Sequence, residues 1–235
     1  MHSCLSPCGD AEMTPANIVG FCALNGLDAI ALTDHNIMLN VPAAVEAGKE
    51  YGITVIPGME LETVEEIHVV CLFPKLGMLE EFQKKVTGSY EQMPNKPDIF
   101  GNQVIMDADD NITGEYPYML LSPTGISIDE AIPLVIGMGG IAYPAHVDRD
   151  SYSVLASFGA MPYGYPLNFA EMSYECDLDV FFAKFPFMKD YSLIHASDAH
   201  YPQFLADPGA ELEVESNTPE GIIKALFDLP RGKIL

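Results

Sequence analysis

Apolar residues in this chain follow two spacings in turn, and cap or turn residues mark each change of spacing. Thr14 fits a helix N-cap with Pro15 at the first helical position, and Ile18, Val19, Cys22 and Leu24 continue at helical spacing until Gly26 stops the run. Residues 28–32 (DAIAL) then form a short apolar run of strand length that leads into Thr33-Asp34-His35-Asn36. A second helix is predicted over 41–51 and a second strand over 53–56, ending at Pro57-Gly58-Met59-Glu60. Further strands are predicted over 67–73, 140–145, 167–172 and 191–196, with helices over 127–138 and 219–227. Gly137-Met138-Gly139-Gly140 follows a helix and precedes a strand, so it reads as a helix C-cap rather than a phosphate-cradling loop. Strand-then-helix repetition predicts an α/β fold with a parallel sheet closed into a barrel, whose ligands sit at the carboxyl ends of the strands.

One stretch breaks the rhythm. Residues 88–123 carry the punctuation of loops, Met93-Pro94-Asn95-Lys96-Pro97 and Asp109-Asp110-Asn111, around short strand-like pieces at 103–106 and 118–121. An inserted hairpin or flap over the barrel mouth is expected, within a single domain spanning 1–235.

The histidines gather where the strands end. Five of the six lie in Met1-His2-Ser3, Thr33-Asp34-His35-Asn36, at His68, in Ala145-His146-Val147-Asp148-Arg149 and in Ser197-Asp198-Ala199-His200, with Glu60 among them. Imidazole is the commonest side-chain ligand for transition metals, and carboxylates share or bridge such ions. A multinuclear metal hydrolase is therefore expected. The remaining histidine, His195, is left out of the site, and the 12 methionines read as core filler.

Composition narrows the setting. Lys+Arg 11 against Asp+Glu 34 give a formal net charge of -23, which repels polyanions and argues against a long nucleic acid as partner. No apolar run approaches the ~20 residues of a bilayer span, so no membrane partner is expected. Five scattered cysteines make a disulfide framework improbable and favour the cytoplasm.

Taken in series, His2-Ser3, Thr33-Asp34-His35-Asn36, Pro57-Gly58-Met59-Glu60, His68, Ala145-His146 and Ser197-Asp198-Ala199-His200 closely resemble the PHP (polymerase and histidinol phosphatase) family. The opening His2-Ser3-Cys4-Leu5-Ser6-Pro7-Cys8 resembles a bacterial subgroup of its phosphoesterases. The resemblance implies a distorted (β/α)7 TIM-like barrel with a di- or trinuclear metal site. The family opens with Asp-Leu-His-x-His, and here Met1 stands at x with His2 as the second histidine. The first histidine and its strand would precede Met1, which implies either a native start further upstream or a naturally shortened relative.

Residue by residue, the resemblance assigns a first metal to His2, Glu60 and Asp198, and a second to Glu60, His68 and His146, with Glu60 bridging. His35, His200 and an acid soon after His2 would hold a third. Asp10 and Glu12 are the candidate acids, and Cys8 is a softer alternative that would favour zinc. The donor set suits Zn, Mn or Fe. Arg149 matches an Ala-His-x-x-Arg pattern and would grip substrate phosphate, a two-pronged task suited to arginine. Asp34 and Glu171 would act as acceptors behind the ligands. The function implied is metal-dependent hydrolysis of a small phosphorylated molecule, a phosphomonoester or nucleotide. A metal-binding module without turnover is the alternative, and a 3′–5′ exonuclease is disfavoured by the charge.

Overall fold

The computed structural model describes residues 1–162, 164–206 and 210–235. Its elements run α1 (Pro15–Leu24), β1 (Ala29–Leu32), α2 (Val41–Tyr51), β2 (Thr54–Glu62), β3 (His68–Leu72), α3 (Leu76–Thr87), α4 (Pro97–Phe100), β4 (Val104–Met106) and β5 (Ile112–Glu115). They continue through α5 (Ile128–Gly137), β6 (Ile141–Pro144), α6 (Val154–Phe158), β7 (Phe169–Ser173), α7 (Leu178–Lys184), β8 (Ser192–Ala196) and α8 (Pro219–Phe227). The α/β class holds.

Local chemistry sets the helix boundaries. Thr14 caps α1 by accepting from the Asn17 amide, and Gly52 ends α2 in the left-handed region at φ 74°. Ser127 opens α5 with a capping box: its hydroxyl accepts from the Glu130 amide while the Glu130 carboxylate reaches back to the Ser127 amide.

The sheet departs from the expected all-parallel barrel. β1 and β2 are parallel, but β3 runs antiparallel to both β2 and β6, in the order β1-β2-β3-β6. β7 and β8 form a separate parallel pair, and no closed barrel forms among the described residues. The reversal has a simple cause. Only residues 63–67 link β2 to β3, and a parallel crossover needs about a dozen or more. A cavity of ≈ 740 Å³ opens between β1 and β8, lined by Ala29, Ala31, Ile56, Tyr143 and Ile194, with Glu60 and Asp198 among its polar walls.

Other differences are local. β2 does not stop at residue 56 but continues through Pro57-Gly58-Met59-Glu60 to Glu62. Helices α3, α4, α6 and α7 lie outside the predicted ones; α3 buries Leu79, Phe82 and Val86 on one face. In the 88–123 stretch, β4 pairs with β5 and not with residues 118–121. The buried Gln103 serves that segment's backbone instead, donating to the Tyr116 and Tyr118 carbonyls and accepting from the Leu120 amide. A side-chain amide thus adds to the short antiparallel bridge that Tyr118 makes with Pro94.

Gly58 explains part of the Pro-Gly-Met-Glu motif. A Cβ there would lie 2.7 Å from Thr33 Cγ2 and 2.9 Å from Leu72 Cδ2, so the side-chain-free position lets β2 pass between its neighbours. Gly58→Ala should lower stability by about 1–3 kcal/mol, the usual penalty for overpacking, read as a lower urea midpoint at unchanged m-value.

Candidate metal centre

Because β3 runs backwards, its amino end lies with the carboxyl ends of β2 and β6. This places His68, the first residue of β3, opposite Glu62 and beside the β6 exit, where the Ala145 amide donates to the His68 carbonyl (3.0 Å). Glu60 forms a parallel bridge with His35 just past the end of β1, and the Asn36 amide donates to the Glu60 carbonyl (2.9 Å). His2 is held beside β8 through its amide on the Ala199 carbonyl (2.9 Å), while the Thr33 amide donates to Met1 (2.9 Å). Two of the exits bend sharply: His146 and Asp198 adopt positive φ (30° and 44°), the kind of strained backbone that collects at functional sites.

These turns converge on one carboxylate. Glu60 Oε2 lies 3.2 Å from His2 Nε2, 3.1 Å from His35 Nδ1 and 3.4 Å from His68 Nδ1, and Oε1 lies 3.6 Å from His146 Nε2. Asp198 Oδ1 stands 3.1 Å from His2 Nε2 and 3.8 Å from His200 Nδ1. His2 stacks between His35 and His200, with ring centroids 4.3 and 4.2 Å away. Three groups have donor atoms close enough to share an ion: His2/His35/His200, His35/Glu60/His68 and His2/Glu60/Asp198. His146 Nε2 is 3.2 Å from His68 Nδ1, at the edge of the second group.

Asp10 and Glu12 are not brought into these groups. The Asp10 carboxylate accepts from the Glu12 amide (2.8 Å), and Glu12 is exposed. Cys8 is half-buried, and burial together with the Glu60 charge pushes its thiol up to about 12. His195 contacts the Ser173 carbonyl (3.3 Å) at the β7–β8 edge.

A supporting layer holds His2. Asp34 is fully buried and accepts from the Ser3 amide, the Ser3 hydroxyl and the Ser6 hydroxyl, each at 2.7 Å. Ser6 Oγ in turn lies 3.3 Å from His2 Nδ1. With its proton given to Asp34, Ser6 Oγ accepts from His2 Nδ1–H, which leaves the His2 Nε2 lone pair facing two carboxylates. Three acceptors pointed at one another need a cation between them. In the metal-free site a proton fills that role: burial lowers the His2 pKa, but Asp198 and Glu60 outweigh it and raise it to about 9. Burial lifts the Glu60 carboxyl, yet His68, His146 and His2 hold it well below the usual range. Burial and the His2 charge push His35 well below normal, and the same causes bring His200 to about 4. His35 Nδ1 makes no aligned hydrogen bond although it stands 3.1 Å from Glu60 Oε2, and the buried His146 Nδ1 has no hydrogen-bond partner among the described residues. Imidazole nitrogens converging with two carboxylates are the donor set of Zn, Mn or Fe, so the residues fit the metals implied.

Arg149 reaches the same site. Its Nη1 lies 2.8 Å from Asp198 Oδ2, the oxygen turned away from His2, and its Nε donates to Ser173 Oγ (3.2 Å). Sequence reasoning missed Ser6, whose only signal is its position four residues after His2, and Ser173, which carries none.

The PHP domain profile matches residues 1–127, more than half of the chain. The chain belongs to the PHP family. It is 34% identical over 89 residues to a 5′-3′ exoribonuclease of Haemophilus influenzae, covering 34% of this chain and 32% of that protein. Among solved structures, the lesion-specific endonuclease EndoQ from Pyrococcus furiosus matches 97% of this chain and 55% of its own (TM-score 0.68, 19% identity). A putative metal-dependent phosphoesterase from Bifidobacterium adolescentis matches 96% of this chain and 93% of its own (TM-score 0.57, 17% identity). This PHP chain therefore spans about a third of the curated relative and about half of the endonuclease.

One expectation is corrected. Endonuclease Q, solved with a 27-mer duplex carrying an abasic lesion at its active site, has the fold of this chain (TM-score 0.64, 20% identity). A long nucleic acid therefore cannot be struck from the partners on the strength of net charge. As to membranes, no helix among the described residues is long and apolar enough to cross one.

Glu171 gives the centre a pH signature. Burial, then the charges of Asp198 and Glu60, push its carboxyl up to about 8 from 4.5. A raised folded-state pKa contributes stability that is present below the unfolded value and lost as pH rises through about 8. In chelated protein, the stability difference between wild type and Glu171→Gln should therefore shift in favour of the variant across that window, followed by urea midpoints. A difference independent of pH would contradict the shift.

Proposed function

We propose that this PHP chain is a metal-dependent phosphoesterase that hydrolyses a phosphomonoester or nucleotide with a metal-activated water. The observation that carries this reading is the single buried Glu60 carboxylate shared by four imidazoles. His2, Glu60 and Asp198 would hold one ion, and Glu60, His68 and His146 a second, with His35 and His200 available to a third. Bound divalent ions supply Lewis-acid polarisation of the phosphoryl oxygen and a water acidic enough to attack near neutral pH. Within this reading residues 1–235 act as one PHP-type domain on a distorted barrel, with 88–123 as its inserted flap.

The chain's own residues do the positioning. Ser6 and Asp34 fix the His2 ring, so its Nε2 faces the site. Arg149 steadies the outer oxygen of Asp198 while its half-exposed guanidinium faces incoming phosphate. Neither role needs a side-chain nucleophile.

Nuclease activity is the second reading. It is favoured by the two relatives whose names specify nucleic acid, the exoribonuclease and endonuclease Q. Release of phosphate from small phosphomonoesters, set against cleavage of 5′-phosphorylated oligonucleotides, separates the two readings. Metal uptake with neither activity would support a binding module without turnover.

Two outcomes follow. Added Zn, Mn or Fe should raise Tm by mass action, and Glu60→Ala should lose metal content and hydrolysis together, the latter by more than about a hundredfold. Metal stoichiometry unchanged in that variant would sink the assignment. Arg149→Ala should lower kcat/KM by about 1.5–3 kcal/mol, with Arg149→Lys recovering only part because an ammonium lacks the fork. Turnover unaffected by either change would remove Arg149 from the mechanism.

A further inference from the structure

The loop leaving β6 carries more than His146 and Arg149. Tyr152 sits three residues beyond Arg149 with its backbone at φ 53°, a conformation that bulky side chains rarely adopt. Two contacts to one residue hold it there. The Tyr152 carbonyl accepts from the His68 amide (2.9 Å), and the phenol ring stacks on the His68 imidazole at 4.8 Å between centroids and 24° between planes. His68 covers only one face of the ring. Tyr152 remains 48% exposed, and no other ring stacks on it among the described residues. A residue wanted only to pack against His68 would gain nothing from a strained backbone that keeps an aromatic face in water. Strain of this kind persists where the surroundings over-determine it, and it is a pointer to function.

Resting on the phosphoesterase reading, we propose that the open face of Tyr152 is a stacking platform for the nucleobase of the phosphoester held at the metal centre, so that the substrate is a nucleotide or a nucleic-acid end. Each component is present on one loop: a ligand candidate in His146, a guanidinium for phosphate in Arg149, and a flat apolar face in Tyr152 backed by His68. Bases of every kind present a π-face, so such a platform favours nucleotides over sugar phosphates without reading sequence.

The test compares adenosine 5′-monophosphate with ribose 5-phosphate, which keeps phosphate and sugar but removes the base. For the metal-loaded wild type, kcat/KM should favour the nucleotide by roughly 5- to 150-fold, the range typical of base–aromatic stacking. Tyr152→Phe should keep that ratio, and Tyr152→Leu should bring it towards one. An adenine-containing tetranucleotide with a 5′-phosphate, run beside the mononucleotide, tells a free nucleotide from a strand end. Binding is read separately through the fluorescence quenching of 2-aminopurine riboside 5′-monophosphate, expected to be at least about fivefold weaker in Tyr152→Leu. Equal wild-type kcat/KM for the two phosphates, or a ratio unmoved in Tyr152→Leu, would overturn the proposal and leave Tyr152 as a prop for His68. Base-dependent binding without hydrolysis of any phosphoester would instead overturn the phosphoesterase reading and leave the platform standing.

Discussion

Everything at the centre of this molecule answers to one constraint, the burial of the Glu60 carboxylate. It is 2% exposed, and an isolated ionised carboxylate at that depth is strongly disfavoured unless positive charge or hydrogen-bond donors surround it. The chain meets this demand from four directions, through His2 at the amino end, His35 after β1, His68 at the start of β3 and His146 after β6. Imidazoles can satisfy a carboxylate either by carrying protons or by sharing a metal with it. The cluster therefore has two ways of being stable. In the first, His2 is protonated; in the second, a bound metal would replace that proton and the remaining lone pairs would be its ligands. The architecture that makes the carboxylate tolerable without metal is the one that selects metal when it is present.

The reversal of β3, set by the short link that precedes it, serves the same site. A histidine at the beginning of a strand would lie far from a site at the carboxyl end of its neighbours if all strands ran the same way. With β3 antiparallel, His68 arrives beside the exits of β2 and β6. This was legible in the sequence but needed a different question. The spacing of apolar residues located 53–56 and 67–73 as strands, while the direction of the second was encoded in the shortness of the link between them. Helix α3 was legible too: Leu76, Leu79, Phe82 and Val86 carry helical spacing. By contrast, nothing local could show that Gln103 would occupy the backbone of 118–121, because that contact is made across the inserted segment by a side-chain amide.

At the site, residues at strand ends were readable because histidine beside Asp or Glu is a chemical signal at short range. What could not be read is how separate loops meet. Asp10 and Glu12 are candidate ligands through the family resemblance, and the turn that follows His2 sets the Asp10 amide on the His200 carbonyl while the Asp10 carboxylate accepts the Glu12 amide. The layer behind the ligands was hidden for the opposite reason. Ser3, Ser6 and Asp34 carry no signal singly, and their value lies in a network that joins the first residues to the end of β1. Tyr152 is silent in the same way until its ring is seen against His68.

The charge argument against nucleic acid shows where a whole-molecule quantity misleads. A net charge of -23 describes the field far from the surface, where it slows the approach of any polyanion. It says little about a pocket whose walls are imidazoles and whose one accessible guanidinium is anchored on Asp198. Two divalent ions at that place would add four positive charges within a few ångströms of one another, enough to invert the local sign against Glu60 and Asp198. Phosphate recognition in so acidic a chain then depends on what the site holds more than on surface lysines, nine of which are spread over the whole sequence. Distant repulsion and local attraction thus act at different ranges, and the net charge does not choose among a free nucleotide, a strand terminus and a long duplex.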